Sequence, residues 1–202
     1  YTTGDSNYYG TEGPGIWRGK VAEMLGLTGE IKQADWDSLC DNLHPETGQR
    51  LTQRTPINRT VGYDINFHSP KSVSILYGLT SDEDIRAAFQ QSVNETMQDI
   101  ERDAEVRVRK DGMMTDRKSS NLIWGEYIHE TSRPVAGQVS DMHLHAHCFA
   151  ANISRDPVED VFKSANFRKI VESAPYHQAM FHARFAKRMQ ELGYATERTR
   201  NG

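Results

Sequence analysis

The run Asp141-Met-His-Leu-His-Ala-His-Cys-Phe-Ala-Ala-Asn152 places His143, His145 and His147 at alternate positions. In a β-strand, side chains two apart share a face, so three imidazoles would project together while Leu144, Ala146 and Cys148 point the other way. Such a row is a candidate metal site, but geometry restricts it. Neighbouring same-face positions stand roughly 6.6 Å apart and the outer pair roughly 13 Å, whereas ligand nitrogens must come within about 2.1 Å of one ion. One ion can therefore take His143 with His145, or His145 with His147, and a third ligand must come from another segment. His129 ends the preceding apolar run, Leu122-Ile-Trp-Gly-Glu-Tyr-Ile-His-Glu130, and a hairpin would bring it alongside. A metal on three neutral imidazoles keeps open positions for substrate oxygens and acts as a Lewis acid or as a source of metal hydroxide.

Two further sets of residues could take part. Asp64 lies between Tyr63 and Ile65, apart from the apolar face of its segment, and could orient a histidine through its second ring nitrogen or take a proton from a nucleophile. Tyr1, Tyr8 and Tyr9 crowd a Gly-rich amino-terminal stretch that reads as a loop.

The elements that must position these residues follow from periodicity and capping signals. Apolar spacing from Trp17 to Leu27 predicts a helix, and a second short one covers Ala34 to Leu43. Val61-Gly-Tyr-Asp-Ile-Asn-Phe67 alternates at period two, a strand with Tyr63, Ile65 and Phe67 on one face and Asp64 and Asn66 on the other. Ser69 reads as an N-cap with Pro70 at the first helical position, opening a short helix through Leu76. A long amphipathic helix runs from about Ser81 to Ala104. After a turn at Asp111-Gly112 come two strands, the first ending at His129 and the second carrying the histidines. Helices follow over 166–173 and 176–192, with Gly193 ending the second before a last short strand. Antiparallel strands with helices on the faces of their sheet make the class α+β.

Composition bounds the partners. The 202 residues are 37% hydrophobic and 26% charged, suited to one sizeable domain, with no apolar run long enough for a membrane span and no signal-peptide pattern. Cys40 and Cys148 make no disulfide framework, which favours a reducing, cytoplasmic setting. A net charge of −4 argues against indiscriminate coating of nucleic acid. A local basic track is nevertheless available: Arg107, Arg109, Lys110, Arg117 and Lys118 cluster around the Asp111-Gly112 turn, and residues 155–202 hold nine Lys/Arg against six Asp/Glu.

Several segments, in order along nearly the whole chain, resemble the amino-terminal relaxase domain of MobF-type conjugative relaxases in the HUH endonuclease superfamily. They are Asn7-Tyr-Tyr9, Trp17-Arg-Gly-Lys20 with Leu25-Gly-Leu-Thr-Gly29, Gly62-Tyr-Asp-Ile-Asn-Phe67, Ser69-Pro-Lys-Ser-Val-Ser74, His129-Glu-Thr-Ser-Arg133, His145-Ala-His147 and Glu191-Leu-Gly-Tyr194. The resemblance implies a palm-like antiparallel sheet and metal ligands at His129, His145 and His147, with His143 a neighbour that meets DNA. It implies that Asp64 activates a tyrosine or orients a ligand histidine, that Tyr1 is the first nucleophile, and that Tyr8, beside Tyr9, is the second. Thr2 stands where the family has a second tyrosine, and His68 where it more often has a small hydroxyl residue. Lys71 and Arg133 are expected to contact DNA, Lys71 from near a helix start that favours anions.

The implied activity is nicking and rejoining of single-stranded DNA at a plasmid origin of transfer through a 5′-phosphotyrosyl intermediate. The implied cofactor is a divalent ion. Magnesium or manganese is expected in the cell, while three imidazoles also suit zinc or nickel, which a purified sample could carry. Implied partners are origin DNA and other relaxosome and conjugation proteins, around a monomer acting in the donor cytoplasm and able to accompany the DNA to the recipient. Residues 1–202 are expected to be the relaxase domain, truncated at both ends and without its helicase. Two other readings use the same residues: a nuclease working through metal-bound hydroxide, and an origin-binding module that does not cut.

Overall fold

A computed structural model describes residues 14–110, 112–133 and 139–197. Its centre is a four-stranded antiparallel sheet in the order β1-β5-β6-β2: β1 is Ile16–Arg18, β2 Gly62–His68, β5 Trp124–Thr131 and β6 Met142–Ala151. The expected α+β class and antiparallel sheet are borne out.

Alternation along β6 divides the core in two. Leu144, Ala146, Cys148 and Ala150 face one side, where α4 (Glu83–Arg102) and α6 (Ala174–Glu191) supply Phe89, Val93, Met97, Phe181 and Phe185. Fully burying side chains such as Phe89 and Phe181 stabilises the fold by about 1.5–3 kcal/mol each. Phe149 and Ala151 face the other side, packing with Trp17 of β1, Val21 of α1 (Lys20–Met24) and Trp36 and Leu39 of α2 (Gln33–Cys40). The histidines share this second face, beyond the end of its apolar cluster.

The amino-terminal segment departs from the single helix its spacing suggests. Trp17 lies in β1, paired with Gly125, and the chain turns at Gly19 with φ +94° before α1 begins. A Cβ on Gly19 would come within 2.4 Å of the Leu122 carbonyl, so spacing alone could not continue a helix through it. The buried Glu101 carboxylate then accepts the backbone N–H of Lys20 at 2.8 Å and of Leu122 at 3.0 Å, fixing α1 against the start of β5.

The turn expected at Asp111-Gly112 falls elsewhere in the topology, Asp111 itself lying outside the described residues. It joins a separate hairpin, β3 (Glu105–Lys110) with β4 (Met113–Lys118), and β5 starts only after it. Part of the basic cluster there is paired within the protein: Arg117 binds Asp156 at 2.7 Å, Arg107 faces Asp116 at 3.7 Å and Lys118 faces Asp103 at 3.8 Å. A second small hairpin, β7 (Ser154–Asp156) with β8 (Val161–Lys163), precedes α5 (Arg168–Glu172). Gly193, with φ +92°, ends α6 as expected, and no strand follows it among the described residues.

Candidate metal centre

The hairpin of β5 and β6 sets the histidines. Register places His129 directly across from His145, with His147 two residues further on the same face. Their ring centroids lie 5.2 Å apart for His129–His145, 5.3 Å for His129–His147 and 5.2 Å for His145–His147. One ligand nitrogen from each lies within 4.8 Å of the other two. Around a tetrahedral ion with bonds of about 2.1 Å, ligand nitrogens stand about 3.4 Å apart, so small ring rotations close this group on one ion. His129 and His145 are 3% and 5% exposed, leaving access to the group from one side only.

Neighbouring groups select the nitrogens. The His145 Nδ1–H donates to the His143 carbonyl at 2.7 Å, and the His147 Nδ1–H donates to Asp64 Oδ2 at 2.8 Å. Both bonds leave Nε2 unprotonated and directed at the group, the tautomer a metal needs. Burial, reinforced by His143, His147 and His129, pushes His145 down to about 4 although its bond to the His143 carbonyl works the other way. Its lone pair is therefore available at neutral pH. The Asn66 side-chain amide, paired in register with His147, lies beside the same Asp64 carboxylate.

The structure thus brings Asp64 together with His129, His145 and His147. His143 stands outside the three-histidine group; its Nε2 meets Nδ1 of His68 at 3.2 Å. Burial first, and nearby positive or histidine groups second, lower both of these rings below the usual histidine value. Lys71 reaches the same edge, its Nζ donating to the Met142 carbonyl at 2.9 Å and standing 3.7 Å from Asp141. Arg133 is exposed just past β5. Tyr1, Tyr8 and Tyr9 lie outside the described residues.

Ser69 does something other than cap. Pro70 is the N-cap of α3 (Lys71–Thr80), while the Ser69 hydroxyl bonds the Ser74 hydroxyl at 2.8 Å. The Ser69 N–H donates to the Leu144 carbonyl at 3.0 Å and the Leu144 N–H donates to Ser74 Oγ at 3.1 Å. These bonds pin α3 to β6 between His143 and His145. Two serines five residues apart are the sequence signal for this clamp, and Ser69 before Pro70 resembles a cap just as well.

Comparison with known proteins agrees with this arrangement. The TrwC relaxase family matches residues 1–202, and the chain belongs to that family. It is 30% identical over 208 residues to the multifunctional conjugation protein TraI of Escherichia coli (strain K12), a match covering 98% of this chain and 11% of TraI. A second E. coli TraI is 28% identical, again over 11% of its length, so the chain spans about a tenth of these curated relatives. Among solved structures, the metal-bound conjugative relaxase TrwC in complex with oriT DNA superposes with a TM-score of 0.88 at 28% identity, covering 98% of this chain and 70% of that one. The metal-free TrwC complex with oriT DNA gives 0.87 at 28% identity, covering 98% and 69%. The MobF-type resemblance and its fold are borne out.

Proposed function

We propose that this chain nicks and rejoins one DNA strand at a plasmid origin of transfer by tyrosine transesterification. The observation that carries the reading is the convergence of His129, His145 and His147 beside Asp64 on one sheet face. The kinship with relaxases described in complex with oriT DNA supports it.

In this reading the three histidines would hold a divalent ion, which would supply electrophilic stabilisation to the scissile phosphate. Magnesium or manganese would serve in the cell, and a purified sample could carry zinc or nickel instead. The Tyr1 phenol attacks the scissile phosphorus. A bond forms from the phenolic oxygen to phosphorus, the bond to the 3′-oxygen breaks, and the phenolic proton ends on the released 3′-hydroxyl. The reverse attack by a 3′-hydroxyl restores the phosphodiester. Because the phosphotyrosyl ester conserves the bond energy, rejoining needs no ATP. Tyr8, beside Tyr9, performs a second transfer. Asp64 is a positioning residue, acting through the tautomer and orientation of His147. Lys71, Arg133 and His143 contact the strand.

The domain works as a monomer with other conjugation proteins in the donor cytoplasm, and accompanies the DNA into the recipient. No described helix is long and apolar enough to cross a membrane.

The test is incubation with labelled single-stranded oligonucleotides tiled across the origin, followed by denaturing electrophoresis. A denaturation-resistant protein–DNA adduct with a free 3′-hydroxyl is expected, lost in a Tyr1→Phe variant. Cleaved product without adduct would replace this reading with the hydroxide nuclease. Retarded but intact DNA would leave only a binding module, and an adduct that survives phenylalanine at Tyr1, Tyr8 and Tyr9 together would refute the assigned nucleophile.

A further inference from the structure

His68 and His143 lie beside the metal group without joining it, and their geometry is specific. A ring N–H lies in the plane of its own ring, so the 3.2 Å N–H···N bond between rings inclined by only 9° makes the two nearly coplanar. Both planes are also nearly parallel to His145, at 12° from His68 and 16° from His143, with centroids 5.8 Å and 4.5 Å away. The pair therefore forms one flat plate over His145, its two centroids 5.1 Å apart and its extent comparable to a purine.

Neighbouring bonds hold the plate in place. His68 ends the edge strand β2, register pairs it with His145, and the Ser69–Leu144–Ser74 bonds clamp the backbone on either side. His68 is exposed and His143 half-buried, so the plate is accessible from solvent. Its mutual hydrogen bond occupies one nitrogen of each ring, and the three-histidine group beside it is complete without either. What remains on each ring is its other nitrogen and its π surface, next to the Lys71 ammonium on the same edge.

We infer that the His68–His143 pair is a stacking platform for a nucleobase flanking the scissile phosphate. This rests on the DNA-nicking reading above. Base–aromatic stacking suits a single strand because an unpaired base presents its face, and it tolerates sequence while favouring the larger purines. A plate already fixed by hydrogen bonds loses little conformational freedom when a base lands on it. Lys71 is placed to meet the backbone of the same nucleotide.

The experiment is a binding series on the origin oligonucleotide that forms the adduct, with an abasic residue moved one position at a time past the nick. Wild type is expected to lose about tenfold in affinity at one position beside the nick, within the range for a single base stack. A His68→Ser/His143→Ala variant should bind the intact strand about tenfold more weakly and show less than a twofold further loss with the abasic strand. His68→Phe, which keeps an aromatic face, should retain the abasic penalty, and metal content equal to wild type should show the ligand group intact. The platform is overturned if the penalty persists unchanged in the Ser/Ala variant, or if no flanking position shows one. Adduct formation with no such position overturns the platform alone, whereas no binding of any origin strand overturns both readings.

Discussion

Replacing Asp64 should weaken metal binding without unfolding the protein. The Asp64 carboxylate accepts the His147 Nδ1–H at 2.8 Å, with the two side chains 5% and 12% exposed, so water cannot readily replace the bond. In Asp64→Ala, His147 loses the partner that fixes its tautomer and ring orientation. Loss of such an outer partner costs about 10- to 100-fold in metal affinity, or about 1.4–2.7 kcal/mol. Asp64→Asn keeps an acceptor oxygen but not its charge and should fall near the lower figure. His147→Ala, which removes a ligand outright, should exceed both. Competition with a fluorescent chelator for manganese and for zinc at neutral pH measures the series, and circular dichroism checks the fold. An Asp64→Ala protein that is folded and binds metal within twofold of wild type would refute the positioning role.

Other residues test the fold and its titration. Gly19→Ala should cost at least about 2 kcal/mol, because φ of +94° is strained for any other residue and the added Cβ meets the Leu122 carbonyl and the Trp124 ring. A urea midpoint close to wild type would contradict that geometry. Burial alone would raise the Asp156 carboxyl, but hydrogen bonds from Lys163, Arg117 and the Val158 and Glu159 N–H groups hold it well below the usual carboxylate range. Its folded-state value lies below its unfolded one, so its stabilisation is full above that range and is lost as pH falls below it. Asp156→Asn should therefore cost about 3 kcal/mol at neutral pH, with the gap to wild type shrinking in acid, and a gap independent of pH would refute the assignment. His145 has the opposite charge sense: with its folded value at about 4 against an ordinary 6.5, the unfolded chain binds the extra proton between these values. Metal-free wild type should lose stability relative to His145→Asn as pH falls through that window, measured by thermal melting.

How legible the fold was depends on the kind of signal each element carries. The helix α4 is plain in the sequence because Ile85, Phe89, Val93, Met97 and Ile100 recur at helical spacing, and Asp82 caps it by accepting the Asp84 N–H. The strand β1 was hidden because Trp17, Val21 and Leu25 fit the same spacing, and only the backbone at Gly19 divides strand from helix. The β3–β4 hairpin carries a signal of its own. Val106 and Val108 are buried and alternate with Arg107 and Arg109, a period of two leading into an Asp-Gly pair, whereas the expected topology joins that turn to the histidine strands. For the nucleophile, the tyrosines were legible as a motif, while their placement lies outside the described residues.

Spacing along β6 left two ligand pairs open, and the pairing with β5 already separates them. His129 sits across from His145; towards His147 the pairing continues in register, whereas towards His143 it slips at a bulge between His129 and Thr131. Partners on β2, the strand on the far side of β6, act on the same choice. Asp64 draws the His147 Nδ1–H and leaves its Nε2 to the group, while His68 engages the Nε2 of His143 at 3.2 Å. No local pattern in the histidine run reports either partner, since both lie some eighty residues earlier and arrive only through sheet pairing. If β2 makes the choice, the ligand set should be reprogrammable from that strand. His147→Ala should lose metal, and adding His68→Ala should recover about tenfold of that affinity by freeing the His143 Nε2 to act as the third ligand. Chelator competition on the single and double variants decides it. A double variant that binds no better than His147→Ala would show that His143 is excluded by the path of β6 itself, and that β2 only decorates a choice already made.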